Sequence, residues 1–275
     1  MSNVESTVQT HYGRHGMLAR IEAALAAAGV DPQRPKMEDL WPYDQLHGRG
    51  IAATREHVER AHIRGGMHVL DLGCGVGGTA RYLASLGCRV AGIDLTPEYI
   101  DVARALTERC GLADRIDYRA CSALDLPFPD ASFDHVLSHN VTMNIADKAG
   151  FAAEAARVLR PGGHFSLAEV EAGPAGVPTF PVPWASDPSS SFLVSPAEMR
   201  AAIEGAGFRI VAQEDGTAAA VAYGREMAAR IERGEQPLQF NAVTMGDDFA
   251  ERGRNMSRAL REGKAVDQFI LAERI

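Results

Sequence analysis

The spacing of apolar residues changes along the chain, and each change predicts a different element. Residues 17–30 (MLARIEAALAAAGV) repeat apolar side chains at helical intervals and stop at Gly29, with Pro32 beyond, which predicts an amphipathic helix. Pro32, Pro35 and Pro42 mark a loop, and residues 50–64 predict a second helix. From Met67 short apolar runs alternate with helical stretches. Strands are expected at 67–72 (MHVLDL), 89–94 (RVAGID), 116–120 (IDYRA), 133–138 (FDHVLS) and 164–170 (HFSLAEV). Helices are expected at 76–86, 97–110 and 147–160. Strands alternating with helices of this length imply parallel β-α-β units and a doubly wound α/β sheet.

Residues 171–194 interrupt the rhythm with Pro174, Pro178, Pro181, Pro183 and Pro188 among serines and glycines. A loop this long inside a domain is uncommon and often functional, so it is read as an inserted lid. Ser195-Pro196-Ala197-Glu198 is a capping-type helix start. A helix to about Ala206, a strand at FRIVAQ, a helix at 217–233 and a final strand at AVDQFILAERI complete the pattern. Residues 1–65 therefore read as an N-terminal helical cap on a main domain spanning 66–275.

One glycine-rich stretch joins the first strand to its helix: Asp71-Leu72-Gly73-Cys74-Gly75-Val76-Gly77-Gly78. Glycines sit where a backbone turns tightly or approaches a ligand with no Cβ in the way. Gly73, Gly75 and Gly78 also satisfy G-x-G-x-x-G, the fingerprint of dinucleotide binding. Asp71 points elsewhere. A carboxylate beside a helix N-terminus is a poor neighbour for a pyrophosphate, whereas it suits a ligand carrying an ammonium and a sulfonium. Asp94 ends the next strand, where a carboxylate can accept hydrogen bonds from ribose hydroxyls. The bland alternative makes Asp71 a cap and the glycines a plain turn.

Composition narrows the remaining classes. The chain has 28 basic and 36 acidic residues, a net charge of −8, and no basic stripe. Nucleic-acid binding, which needs phosphate neutralisation, is not expected. Cys74, Cys88, Cys110 and Cys121 form no C-x-x-C pair, so no metal site is expected. No apolar run reaches the roughly 20 residues of a membrane span, and the polar start MSNVESTVQTHYGRHG has no apolar core of a signal peptide. A cytoplasmic protein without membrane partners is the expectation.

Four motifs together resemble the class I S-adenosylmethionine-dependent methyltransferases: VLDLGCGVGG (69–78), AGIDLTPEYIDVARAL (91–106), ALDLPFPDASFDHVLS (123–138) and RVLRPGGHFSL (157–167). The resemblance implies a Rossmann-like seven-stranded sheet whose last strand is antiparallel. It also implies S-adenosylmethionine as cofactor and S-adenosylhomocysteine as product. Carried onto this sequence, Asp71, Gly73, Cys74 and Gly75 would meet the methionine end, Asp94 the ribose and Leu95 the adenine. Ser122, Ala123 and Leu124 would lie by the adenine edge, with Ser138 also on the cofactor. Ser122 departs from the family pattern, which has an acidic residue there. A narrower similarity, to bacterial small-molecule methyltransferases of the ubiquinone/menaquinone and sarcosine/dimethylglycine type, rests on DQLHGRGIAAT (44–54), HNVTMNIADK (139–148) and FPVPWA (180–185).

These stretches hold the candidates for the acceptor. His139 and Asn140 follow the fourth strand and are the candidate catalytic pair, His139 as base or orienter because its ordinary pKa lies near working pH. It could equally be a helix cap or a wall residue. Met143 and Asn144 follow, Asn144 either positioning an acceptor or capping the helix near Asp147. Tyr43, His47 and Arg49 share a loop; Arg49 reads as a cofactor residue pairing with the methionine carboxylate, as a partner for an anionic substrate, or as a surface arginine. Trp184 reads as a stacking or cation–π residue of the lid, or as packing. The expected partner is a small-molecule amine or hydroxyl. C-methylation of a quinol or polyketide ring, and a cofactor-binding regulator without catalysis, are the alternatives.

Overall fold

The computed structural model describes residues 3–13, 16–235, 243, 246 and 248–275. Seven strands form one sheet: β1 (His68–Leu72), β2 (Arg89–Asp94), β3 (Ile116–Ala120), β4 (Phe133–His139), β5 (Leu159–Ala172), β6 (Phe208–Asp215) and β7 (Ala265–Arg274). Their order is β3-β2-β1-β4-β5-β7-β6. β1 to β5 pair in parallel, while β7 runs antiparallel between β5 and β6. The doubly wound sheet and its antiparallel last strand are both present.

Helices cover both faces. α1 (Asn3–Tyr12), α2 (Met17–Ala27), α3 (Met37–Asp44) and α4 (Ile51–Arg60) precede the sheet, and α5 (Gly78–Ser85), α6 (Pro97–Arg109) and α7 (Lys148–Val158) connect its strands. α8 (Pro196–Gly205) precedes β6, and α9 (Thr217–Glu232) and α10 (Phe249–Arg261) lie between β6 and β7. One core layer sets Leu70, Phe133, Val136 and Phe165 against Phe151 of α7 and Met199 and Ile203 of α8. The opposite layer joins Val69, Val90 and Leu137 to Val58 of α4 and Leu83 of α5. Apolar residues on alternate positions of buried strands feed the two layers in turn. The expected capping box is present: Ser195 Oγ accepts from Glu198 N, and the Glu198 carboxylate accepts from Ser195 N.

Two local expectations are corrected. Residues 37–44 form a helix rather than a loop, despite Pro42 in its last turn. The helix is only eight residues long and is started by Lys36 N donating to Asp39 Oδ2 at 2.8 Å. The polar start also contains a helix, α1, where sequence suggested none.

Met17, Ile21 and Leu25 of α2 bury against Tyr99, Val102 and Leu106 of α6, with Leu40, Tyr43 and Val76 in the same cluster. At the other side, Arg252 and Asn255 of α10 donate to the carbonyls of Val182 and Pro181, at 2.7 and 2.9 Å. These bonds tie the proline-rich segment to α10. Among the described residues no helix is long and apolar enough to cross a membrane.

Candidate active site

Where the strand order reverses, the carboxyl ends of β1, β2 and β4 border a cavity of about 390 Å³, the position at which open α/β sheets bind ligands. The glycine loop forms its floor. Gly73 has φ +71°, and a Cβ there would lie 2.4 Å from Val141 Cγ2. No larger residue fits between the loop and the turn after β4. Gly78 admits the carbonyl of Asp44, which a Cβ would meet at 2.3 Å, so α3 lies directly on the start of α5.

Asp71 is buried, lines the cavity and has one carboxylate oxygen, Oδ2, without a hydrogen-bond partner among the described residues. Burial, and then the charge of Asp94, push its carboxyl up to about 7. A buried carboxylate short of partners is the condition that an incoming cation relieves. Asp94 holds the loop in place: its Oδ2 accepts from Gly75 N at 3.0 Å and its Oδ1 from Thr96 N at 2.8 Å. Burial raises its pKa as well. Leu95, Ser122, Ala123 and Leu124 line the same end of the cavity, as does Cys74. Ser122 Oγ accepts from Leu124 N at 3.1 Å, closing a local turn.

The far end is built by the turn after β4. Glu169, on β5, accepts from Ser138 Oγ (2.6 Å), Val141 N (2.8 Å), Thr142 N and Thr142 Oγ (both 3.0 Å), and so fixes the backbone that carries His139 and Asn140. Asn140 has φ +56°, a conformation asparagine tolerates better than most residues. His139 stacks on His47, with ring centroids 3.6 Å apart and 14° between planes, and meets the edge of His57 at 5.2 Å. Burial holds all three imidazoles neutral near pH 7: His47 falls to about 4, His57 to about 3, and His139 well below its ordinary value.

α1 closes the cavity from above with Val8 and Tyr12. Gln9 Nε2 donates to Leu95 O at 2.7 Å, and Tyr12 Oη to Asn144 Oδ1 at 3.0 Å. Asn144 Nδ2 donates in turn to Trp184 O and Ser190 O, both at 2.9 Å. Asn144 therefore locks α1 to the proline-rich segment, and the cap of α7 is Asp147, which accepts from Gly150 N. Tyr12, Gln9 and Glu169 were not singled out by sequence; no motif marks them, because each acts across 27 to 132 residues of chain.

Thirteen of the sequence-predicted residues line this cavity: Asp71, Gly73, Cys74, Gly75, Asp94, Leu95, Ser122, Ala123, Leu124, His47, His139, Asn140 and Asn144. Five do not. Ser138 is spent on Glu169, and Tyr43 is buried between α2 and α6. Arg49 is paired with Glu56. Met143 and Trp184 are buried together with Val170 and Val182, and the Trp184 indole donates to Ser191 Oγ. No face of Trp184 is offered to the cavity. Among the described residues no arginine or lysine lines it, and no group of His, Cys, Asp and Glu could hold a metal ion.

Residues 70–167, which carry the glycine loop, Asp94 and the turn after β4, match the family model of the methyltransferase domain. Over those residues the chain is similar to methyltransferase domains. The chain is similar to the methyltransferase GfsG of Streptomyces halstedii, 36% identical over 135 residues, covering 47% of this chain and 49% of that protein. It is also similar to demethylmenaquinone methyltransferase of Tropheryma whipplei (strain Twist), 40% identical over 107 residues, covering 39% and 43%. The chain thus spans about half the length, or less, of these curated relatives. The geranyl diphosphate C-methyltransferase of Streptomyces coelicolor A3(2), solved with Mg²⁺, a substrate analogue and S-adenosylhomocysteine, superposes with a TM-score of 0.73 at 17% identity, covering 100% and 99% of the two chains. At that identity the likeness is one of fold, and it spans the whole of this chain and 99% of the other.

Proposed function

We propose that this protein binds S-adenosylmethionine in the cavity and transfers its methyl group to a small molecule docked at the end of β4. The observation that carries the reading is Asp71: a buried carboxylate with a free oxygen, beside glycines that leave room for a ligand. Those residues fit an amino-acid head with its ammonium on Asp71, a ribose near Asp94 and an adenine between Leu95 and the Ser122–Leu124 turn. Residues 1–65 would act as a cap over that site and 66–275 as the catalytic domain.

When bound, the cofactor supplies a sulfonium methyl, displaced in line by the acceptor. The chain's own task is to hold the two reactants aligned and water-free. α1 and its Tyr12–Asn144 bond cover the site. His139, neutral and without a hydrogen bond among the described residues, is the group placed to orient an acceptor hydroxyl and receive its proton. The carboxylates that line the cavity disfavour a phosphate-bearing acceptor. The acceptor is accordingly a hydroxyl or amine. Methylation of a ring carbon is the second reading, favoured by the same unbonded imidazole.

Calorimetry with S-adenosylmethionine tests the first step, with a nicotinamide dinucleotide as control. Micromolar binding that Asp71→Ala abolishes is the expected result. Preference for the dinucleotide would overturn the reading, and binding without turnover on any acceptor would leave a regulator.

A further inference from the structure

Four buried side chains, Arg81, Asp44, Gln45 and Thr54, connect the glycine loop to the stacked histidines by hydrogen bonds. Arg81, on α5, donates through Nη2 to Val76 O in the loop and to Asp44 Oδ2, both at 2.9 Å. Asp44 Oδ1 accepts from Gln45 Nε2 at 2.8 Å. That bond orients the Gln45 amide, since the reverse orientation would set its oxygen against the carboxylate. Gln45 Oε1 therefore faces Thr54 Oγ, at 2.5 Å. Two oxygens this close share a proton, and the amide oxygen has none to give, so the single Thr54 hydroxyl proton lies between them.

This has a consequence for His47. Its Nε2 lies 3.1 Å from Thr54 Oγ, and its Nδ1 lies 3.2 Å from Gly48 O. Gly48 O, an acceptor, favours a proton on Nδ1. Thr54 Oγ, with its own proton committed, can only accept, and so favours a proton on Nε2. One neutral ring cannot satisfy both. With Thr54 still bound to Gln45, a proton on Nδ1 would set the bare Nε2 lone pair against Thr54 Oγ at 3.1 Å, whereas a proton on Nε2 sets the bare Nδ1 lone pair against Gly48 O at 3.2 Å. The closer contact decides for Nε2–H.

We propose that Thr54, backed by Gln45, Asp44 and Arg81, is a positioning residue that holds His47 as its Nε2–H tautomer and flat against His139, leaving the His139 ring free of protein partners and open to the acceptor. His139 has no hydrogen bond among the described residues, so its orientation comes from its ring contacts with His47 and His57. Anchoring one imidazole through its far nitrogen is the usual way a protein selects a tautomer. Here the anchored ring supports the one facing the acceptor. The role toward the acceptor rests on the methyl-transfer reading; the tautomer does not.

Long-range proton–nitrogen spectra of the full chain with ¹⁵N-labelled histidine, near pH 7.5, test this directly. Signals are assigned with His47→Asn, and native protein is compared with Thr54→Val and Thr54→Ser. The native His47 is expected as Nε2–H. Thr54→Val should reverse the tautomer ratio by tenfold or more toward Nδ1–H and move the His139 signals, and Thr54→Ser should restore both. A native His47 protonated on Nδ1 or on both nitrogens would overturn the proposal, as would an unchanged tautomer in Thr54→Val. If the valine variant does not fold, the native and serine spectra still decide. A parallel titration with S-adenosylhomocysteine separates the two readings, because failure to bind refutes the cofactor assignment and leaves the tautomer result standing.

Discussion

Replacing Asp71 by Asn should stabilise the ligand-free protein while destroying its affinity for a cationic cofactor. The carboxyl is buried, and its pKa stands at about 7 instead of the ordinary 3.8, through burial first and Asp94 second. A carboxyl whose folded pKa is raised binds more protons folded than unfolded, so stability falls as pH rises from 3.8 toward 7 and the penalty is complete above 7. At 1.36 kcal/mol per pKa unit the ionised carboxylate costs about 4 kcal/mol at pH 8, and less than half of that at pH 5. An amide of the same shape removes that cost and can keep the contact from Ala80 N–H. Urea denaturation without cofactor, at pH 8 and pH 5, should give Asp71→Asn a gain of a few kcal/mol at pH 8 that shrinks at pH 5. Calorimetry on the same samples should show binding lost. A variant less stable than native at both pH values would refute the claim that this carboxylate is stored strain awaiting a cation.

The same carboxyl sets a pH dependence for binding: affinity should be flat above pH 7 and about tenfold weaker at pH 6 than at pH 8, because the proton must leave before the cation enters; a flat calorimetric profile from pH 6 to 8 would contradict it. Gly73→Ala should abolish cofactor binding, since it strains φ and drives a Cβ into Val141. Adding Val141→Ala should recover part of the affinity by removing the struck methyls, which a two-variant titration reads directly. Tyr12→Phe loses the bond to Asn144, about 1 kcal/mol on the closed position of α1, or about fivefold in cofactor Kd. Trp184→Phe should lower stability by about 1–3 kcal/mol through the lost Ser191 bond and a void, with cofactor affinity within twofold in the same calorimetric assay. A larger loss would place Trp184 at the site after all.

The sheet and the glycine loop were legible because their signals are local. Buried strands such as RVAGID are near-continuous apolar runs, and the turn after β1 can accept only glycine where Val141 approaches. Asp71 and Asp94 stood out for the same reason, as carboxylates at strand ends. What escaped was set by tertiary contact. α1 is polar in sequence and is held by long-range bonds from Gln9, His11 and Tyr12. α3 forms with a proline inside it because it is short and lies against Gly78. Trp184 looked like a lid residue from its prolines, yet its ring turns inward to Met143 and Val182. Arg49 looked available for an anion, but Glu56, one helical stretch further on, holds it.

The bonds that run from α10 through Val182 and Pro181 to the proline-rich segment, then through Asn144 to Tyr12, put α10 and α1 in series. Slack at any joint is felt at every other. A cut or a bulky fusion beside α10 should therefore loosen α1, more than 200 residues earlier in sequence, as much as a change in α1 itself. Ligand capture would tighten α1 and α10 together, so that these two helices gain protection from solvent exchange at the same ligand concentration.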